Sequence, residues 1–266
     1  MDRVIIEQII TDVLSNSRQG IQIKCSKPKY ISKPTEKDKE FLSKFFNEDK
    51  LPESNLDEDY IENYNVSKSM DDAEKEYEDT YERIGQQRIF DEVLTEEERV
   101  SVGYWSGQSY MDINYYSFNV RGDKLKEEKY AQFHDLDSIE KLTSNLESAI
   151  HKSERIDENR HAFRYDGEGL GFTVKEGEVI TTNGFTATSY NEDIATVSRD
   201  YDDEMMEEIG EEHHAYVKDI YIPKGTEGMF IGGGEEEVLL PPATRMYCFN
   251  IDKENRRAKF VVLPPN

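Results

Sequence analysis

One segment shows helical spacing of its apolar residues more clearly than any other. In "DSIEKLTSNLESAIHKS" (137–153), Ile139, Leu142, Leu146 and Ile150 fall on one face and predict an amphipathic helix. Thr95-x-x-Glu98, a capping-box pattern, predicts a helix start at the head of "TEEERVSVGYWSGQSYMDINYYSF" (95–118). Residues 1–20 are also helical in pattern, and "KDKEFLSKFF" (37–46) predicts a short helix. Past Arg164 the texture changes to short apolar runs broken by turn residues. "HAFRY", "GFTVKEGEVI", "GFTATS", "AYVKDIYIP", "GMFI", "EEEVLLPP", "RMYCFNID" and "AKFVVLP" read as strands. Helices first and strands afterwards predict an α+β fold.

Between about 48 and 82 aliphatic residues thin out and acids accumulate, which predicts a linker or loosely packed helical arm. The chain accordingly divides into an N-terminal helical and acidic extension, 1–90, of unknown role, and a folded unit, 91–266. Acids outnumber bases by 57 to 33, giving a formal net charge of −24. Such a field repels phosphate backbones and lipid headgroups, so nucleic-acid and membrane partners are not expected, whereas a basic protein surface is attracted. Two cysteines are too few for a disulfide framework. The N-terminal segment is interrupted by Asp2, Glu7 and Asp12, unlike a secretion signal, and no apolar run approaches bilayer length. A soluble protein is expected.

The stretch "GGGEEEVLLPP" (232–242) sets three like charges against a strand that reads as buried. In an extended chain Glu235 and Glu237 share a face, roughly 6–7 Å apart, while Glu236 points away. At an effective dielectric near 20 their repulsion is on the order of 2–3 kcal/mol. A cation between them converts that repulsion into binding; the alternative use of the segment is an exposed acidic turn. Arg164, flanked by Phe163 and Tyr165, supplies a fixed cation within an apparent strand. "TNGFTATSY" (182–190) supplies a glycine, an aromatic and small hydroxylated residues suited to close approach of a ligand. The pair His213–His214, with Asp202 and Asp203 upstream, matches no metal-ligand spacing, so no metal is expected.

Taken in order, "FR" (163–164), "FTATS" (185–189) and "EEEVLLPP" (235–242) resemble the mono-ADP-ribosyltransferases of the arginine-modifying R-S-E class. "VKDIYIPKGTEGMFI" (217–231) is similar to the strand and turn leading into that family's mobile loop. "YWSGQSYMDIN" (104–114) is similar to its helix over the adenine side of NAD. The resemblance covers about 95–266. It implies the ADP-ribosyltransferase fold: helices followed by a mixed or antiparallel two-sheet β core that forms an NAD cleft, with NAD as co-substrate. It also implies transfer of ADP-ribose to an arginine on a target protein.

By the same resemblance Glu237 stabilises the oxocarbenium-like transition state and Glu235 receives the acceptor guanidinium. Arg164 holds an NAD phosphate, Thr188 and Ser189 brace the site, and Tyr165 and Phe185 line it. Tyr110, Asn114 and Trp105 reach the adenosine half. Arg199 and Tyr201 stand in a loop expected between Ser189 and His213, over the phosphates and nicotinamide. One position departs from the pattern. Ala187 stands where the family often has a serine bonded to the catalytic glutamate, a loss worth about 1 kcal/mol of orientation. Three other readings stay open: an NAD glycohydrolase, a transferase to a non-arginine acceptor, and a binding or virion protein of weakened activity, which Ala187 favours. The setting expected is a phage enzyme of the Alt and Mod type, a binary-toxin component or an injected effector, acting in the cytoplasm of a host or target cell.

Overall fold

A computed structural model describes residues 31–48, 86–106, 110–166, 174–209, 215–232 and 237–265. The expected helix at 1–20 and most of the acidic segment after 48 lie outside these residues. Helices α1 (Glu36–Glu48), α2 (Gln86–Glu92), α3 (Glu96–Trp105), α4 (Tyr110–Tyr115), α5 (Lys124–Tyr130) and α6 (Leu136–Lys152) precede most of the strands, as the pattern predicts. A turn of π-helix, Tyr116–Val120, continues α4. The strands are β1 (Ile31–Ser32), β2 (Arg160–Asp166), β3 (Glu178–Thr181), β4 (Thr186–Ser189), β5 (Tyr216–Ile222), β6 (Met229–Gly232), β7 (Glu237–Leu240), β8 (Arg245–Asp252) and β9 (Arg257–Val262). The fold is α+β, and no helix among the described residues is long and apolar enough to cross a membrane.

The strands join in one hydrogen-bonded order, β1-β3-β8-β9-β5-β2-β4-β7-β6. Where two sheets were expected, the described residues form a single mixed sheet of nine strands. Its ladders are antiparallel except β5–β9. The join near its middle is thin, because the β2–β4 register is a single pair, Phe163 with Ser189.

Period-two alternation sorts the apolar residues of β7 between two cores. Leu239 packs with Phe185 and the helices, alongside Val102, Trp105, Ile113, Leu146 and Ile150. Val238 and Leu240 face the other way, into a cluster with Ile220, Met246 and Phe260. Helix α3 starts at the expected capping box: the Glu98 N–H donates to Thr95 Oγ1 at 3.3 Å, and the Thr95 N–H donates to Glu98 Oε2 at 2.8 Å. Glu98 is buried and also accepts from Ser148 (2.6 Å) and Lys152 (2.9 Å), tying α3 to α6.

The segment expected as a loop after Ser189 is instead an 18-residue helix, α7 (Glu192–Ile209). The Asn191 side chain accepts the Asp193 N–H at 3.0 Å, and Glu192 and Asp193 supply negative charge to the first turn. Ala195 then packs on Phe163 and Val217. Residues 31–48, assigned from the sequence to the N-terminal extension, dock on the sheet. β1 pairs with β3, and Leu42 and Phe45 of α1 pack with Val179, Tyr221 and Val261.

Candidate functional site

Adjacent strands carry the three residues whose order marked the sequence. Phe163 of β2 pairs with Ser189 of β4, and Ser189 pairs with Glu237 of β7. Directly opposed antiparallel residues share a face, with Cβ atoms about 5 Å apart, so Ser189 and Glu237 stand side by side. Ala187 and Leu239 are the next pair on that face.

Arg164 follows Phe163 on β2. Beyond the single β2–β4 pair its guanidinium Nη1 donates to the Ala187 carbonyl at 2.7 Å. Arg164 thus spans the gap where the ladder stops. This bond uses one of the five N–H donors a guanidinium carries. Thr188, buried, donates its hydroxyl to the Val238 carbonyl at 2.9 Å and reinforces β4–β7. The Ser189 hydroxyl oxygen accepts the Asn191 N–H at 2.9 Å, which starts the turn into α7.

Trp105, expected at the adenosine half, is placed at the candidate catalytic carboxylate. Its indole Nε1–H donates to Glu237 Oε1 at 2.8 Å. The side chain is 3% exposed, and its ring meets the fully buried Phe185 edge-on at 5.3 Å and Tyr110 at 6.2 Å. Phe185 therefore supports the site from beneath and has no exposed surface for a ligand. Tyr110, exposed, and Asn114 lie one turn apart on α4. Asn114 Oδ1 is buried and meets no donor among the described residues. An unpaired buried acceptor costs about 1–3 kcal/mol, which a donor on a bound molecule would recover.

The entry to β4 depends on a glycine. A Cβ on Gly184 would lie 2.5 Å from the Phe118 ring, so any side chain there would force that ring of the π-helical turn to shift. Tyr165 packs with Phe163 beside α7. Arg199 lies on α7, with Nε and Nη2 both donating to Asp200 Oδ1, at 3.0 and 2.8 Å. Tyr201 is on the same helix. Glu235, Glu236, His213 and His214 lie outside the described residues.

Two features of the site were not read from the sequence. One is the Trp105–Glu237 bond, between residues 132 positions apart. The other is the anchoring of α7 by a charged cluster on β2, β5 and β9. Arg257 donates to Asp219 at 2.9 and 2.6 Å and pairs with Glu192, while His161 Nε2 lies 3.2 Å from Asp219. Burial would raise the Asp219 carboxyl, but hydrogen bonds from His161 and Arg257 hold it below the usual range. Among the described residues no group of three or more His, Cys, Asp or Glu side chains could hold a metal ion.

Comparison with known proteins bears on the fold and the family. The ADP-ribosyltransferase exoenzyme family model matches residues 73–263. Among solved structures, the chain is similar to Plx2a, an ADP-ribosyltransferase toxin from Paenibacillus larvae. Identity is 16%, with 71% of this chain and 97% of that one covered, at a TM-score of 0.51. It is similar to the Vis toxin, an ADP-ribosyltransferase from Vibrio splendidus, at 16% identity, 74% and 86% coverage and a TM-score of 0.53. It is also similar to the Clostridium limosum C3 exoenzyme, at 15% identity, 68% and 93% coverage and a TM-score of 0.50. At these identities the structures speak for the fold. No curated protein matches the sequence. With a family match across most of its length, and the arginine, serine and glutamate on adjoining strands, the chain belongs to the ADP-ribosyltransferase exoenzyme family.

Proposed function

We propose that the protein is an NAD-dependent mono-ADP-ribosyltransferase that modifies arginine side chains of a target protein and releases nicotinamide. The observation that carries this reading is Glu237, held by Trp105 and set beside Ser189 in register. As the bond between nicotinamide and ribose breaks, its electron pair leaves with nicotinamide and positive charge develops at the anomeric carbon. A carboxylate fixed beforehand stabilises that charge without reorganising. Arg164, with donors left over from its bond to Ala187, is suited to an NAD phosphate, and Tyr110 and the unpaired Asn114 carbonyl to the adenosine half. Thr188 and Ser189 brace the strand, with Phe185 beneath it. On the same reading Tyr165, Arg199 and Tyr201 contribute to NAD binding from β2 and α7.

Arginine is the acceptor proposed because a second glutamate, Glu235, stands two residues before Glu237. A guanidinium is protonated at ordinary pH; Glu235 docks it and takes the proton released as its nitrogen bonds the anomeric carbon. The net charge of −24 favours a basic target surface. The similar Vis enzyme is known in complex with agmatine, itself a guanidinium compound. The test is incubation with labelled NAD and agmatine, with nicotinamide release and labelled agmatine followed together. Both products are expected in equal amounts. Nicotinamide without labelled agmatine would indicate hydrolysis or another acceptor, and neither product would overturn the reading.

A further inference from the structure

The hydrogen bond between Trp105 and Glu237 crosses from helix to sheet at the carboxylate proposed to meet the developing charge. We infer that Trp105 is a positioning residue for this reaction: its indole N–H fixes the Glu237 carboxylate in the orientation from which it meets the developing charge. The inference rests on the transferase reading above and adds a residue to it.

Three observations carry it. The donor is rigid, because Trp105 is 3% exposed and packed edge-on against Phe185. It is mounted on a rigid element, since Glu98 bonds α3 to Thr95 at its start and to Ser148 and Lys152 of α6. The diagonal neighbour on the same face offers no donor. Ala187 lies on the face of Glu237, diagonal to it, and carries a methyl group. A hydrogen bond at 2.8 Å to one carboxylate oxygen limits the rotation of a side chain with three free torsions. The indole therefore acts through Glu237 and need not touch substrate.

The chain has a single tryptophan, so the N–H can be removed there and nowhere else. Growth of a tryptophan auxotroph on 3-benzothienylalanine replaces the indole N–H by sulfur and keeps the ring's shape. The full-length protein so made is compared with wild type and with Trp105→Phe. The turnover number for nicotinamide release should fall about five- to tenfold in both, the worth of one hydrogen bond to a charged group, with KM for NAD within about twofold. In 15N-labelled protein the lone indole N–H resonance should move upfield when Glu237→Ala removes the acceptor. Unchanged turnover with the sulfur analogue, a change confined to KM, or an indole resonance indifferent to Glu237→Ala would each overturn the positioning role. A wild-type enzyme that releases no nicotinamide fails differently: it sinks the transferase reading, and this inference with it.

Discussion

Glu237 sits at the first position of β7, bonded on one oxygen by Trp105 and flanked by Ser189, so its charge is held in one place before any substrate arrives. Charge is what the transition state needs, so Glu237→Gln should lower nicotinamide release at least a hundredfold while leaving NAD affinity within a few-fold. Steady-state turnover with calorimetric binding checks this, and retention of a tenth of the wild-type rate would remove Glu237 from the mechanism. A chain extended through 235–237 would set the two upstream glutamates on opposite faces. Glu235→Gln should lose transfer to agmatine while slow NAD hydrolysis continues, because water needs no carboxylate to dock it as a guanidinium does. Glu236→Gln, one residue along and so on the opposite face of an extended chain, should retain both reactions. If Glu236 and not Glu235 proves necessary for transfer, the chain does not remain extended from Glu235 into β7.

The helix that presents Trp105 is fastened by a buried charge, which gives its stability a pH signature. Burial alone would raise the Glu98 carboxyl. Bonds from Lys152, Ser148 and the Thr95 N–H outweigh it and bring the pKa down from 4.5 to about 2. A pKa depressed by folding contributes stability in full above the unfolded value. That contribution is lost as pH falls from about 4.5 toward 2, and amounts to on the order of 3 kcal/mol. Urea melts of Glu98→Gln should therefore show lower stability than wild type at pH 7 and a shallower decline over that acid window. Parallel curves for the two proteins would show that the charge is not what fastens α3. The local part of this arrangement was legible: a Thr-x-x-Glu cap and the 3.6-residue period of α6 are written within a few positions of each other. The strands were legible too, and β8 spans the residues expected of it. What a linear reading could not supply was partnership across the chain. Ser148 and Lys152 reach Glu98 from 50 and 54 positions away, and Trp105 reaches Glu237 from 132. Helix α7 was missed because its loop was carried over from the resemblance, although Asn191, Glu192 and Asp193 write a helix start in the sequence itself.

At the scale of the whole molecule, residues far from the site decide how much of the N-terminal chain belongs to the folded unit. Arg245 of β8 clamps Asp38 of α1 with two hydrogen bonds, at 2.9 and 2.6 Å, across 207 positions. The Thr35 N–H and hydroxyl both donate to the same carboxylate at 2.7 Å. Burial opposes ionisation of Asp38, but these bonds prevail and its pKa is about 2. A pair this enclosed adds little when both partners are present, yet removing one strands the other in a dry place. Asp38→Ala should thus cost about 3–5 kcal/mol, a fall in Tm on the order of 10 °C for a chain of this size. Replacing both partners, as Asp38→Leu with Arg245→Met, should recover much of that loss, since no charge is then left unpaired. Leu42 and Phe45 would keep α1 seated on the sheet in the double variant, and turnover of the folded enzyme at 25 °C should match wild type, because Trp105, which bonds Glu237, packs in a different core. Calorimetric melts of the two variants decide the point. A single variant that melts within about 2 °C of wild type would mean that α1 unfolds separately from the sheet. A double variant as unstable as the single one would mean that the clamp itself, and not a stranded guanidinium, is what holds residues 31–48 in place.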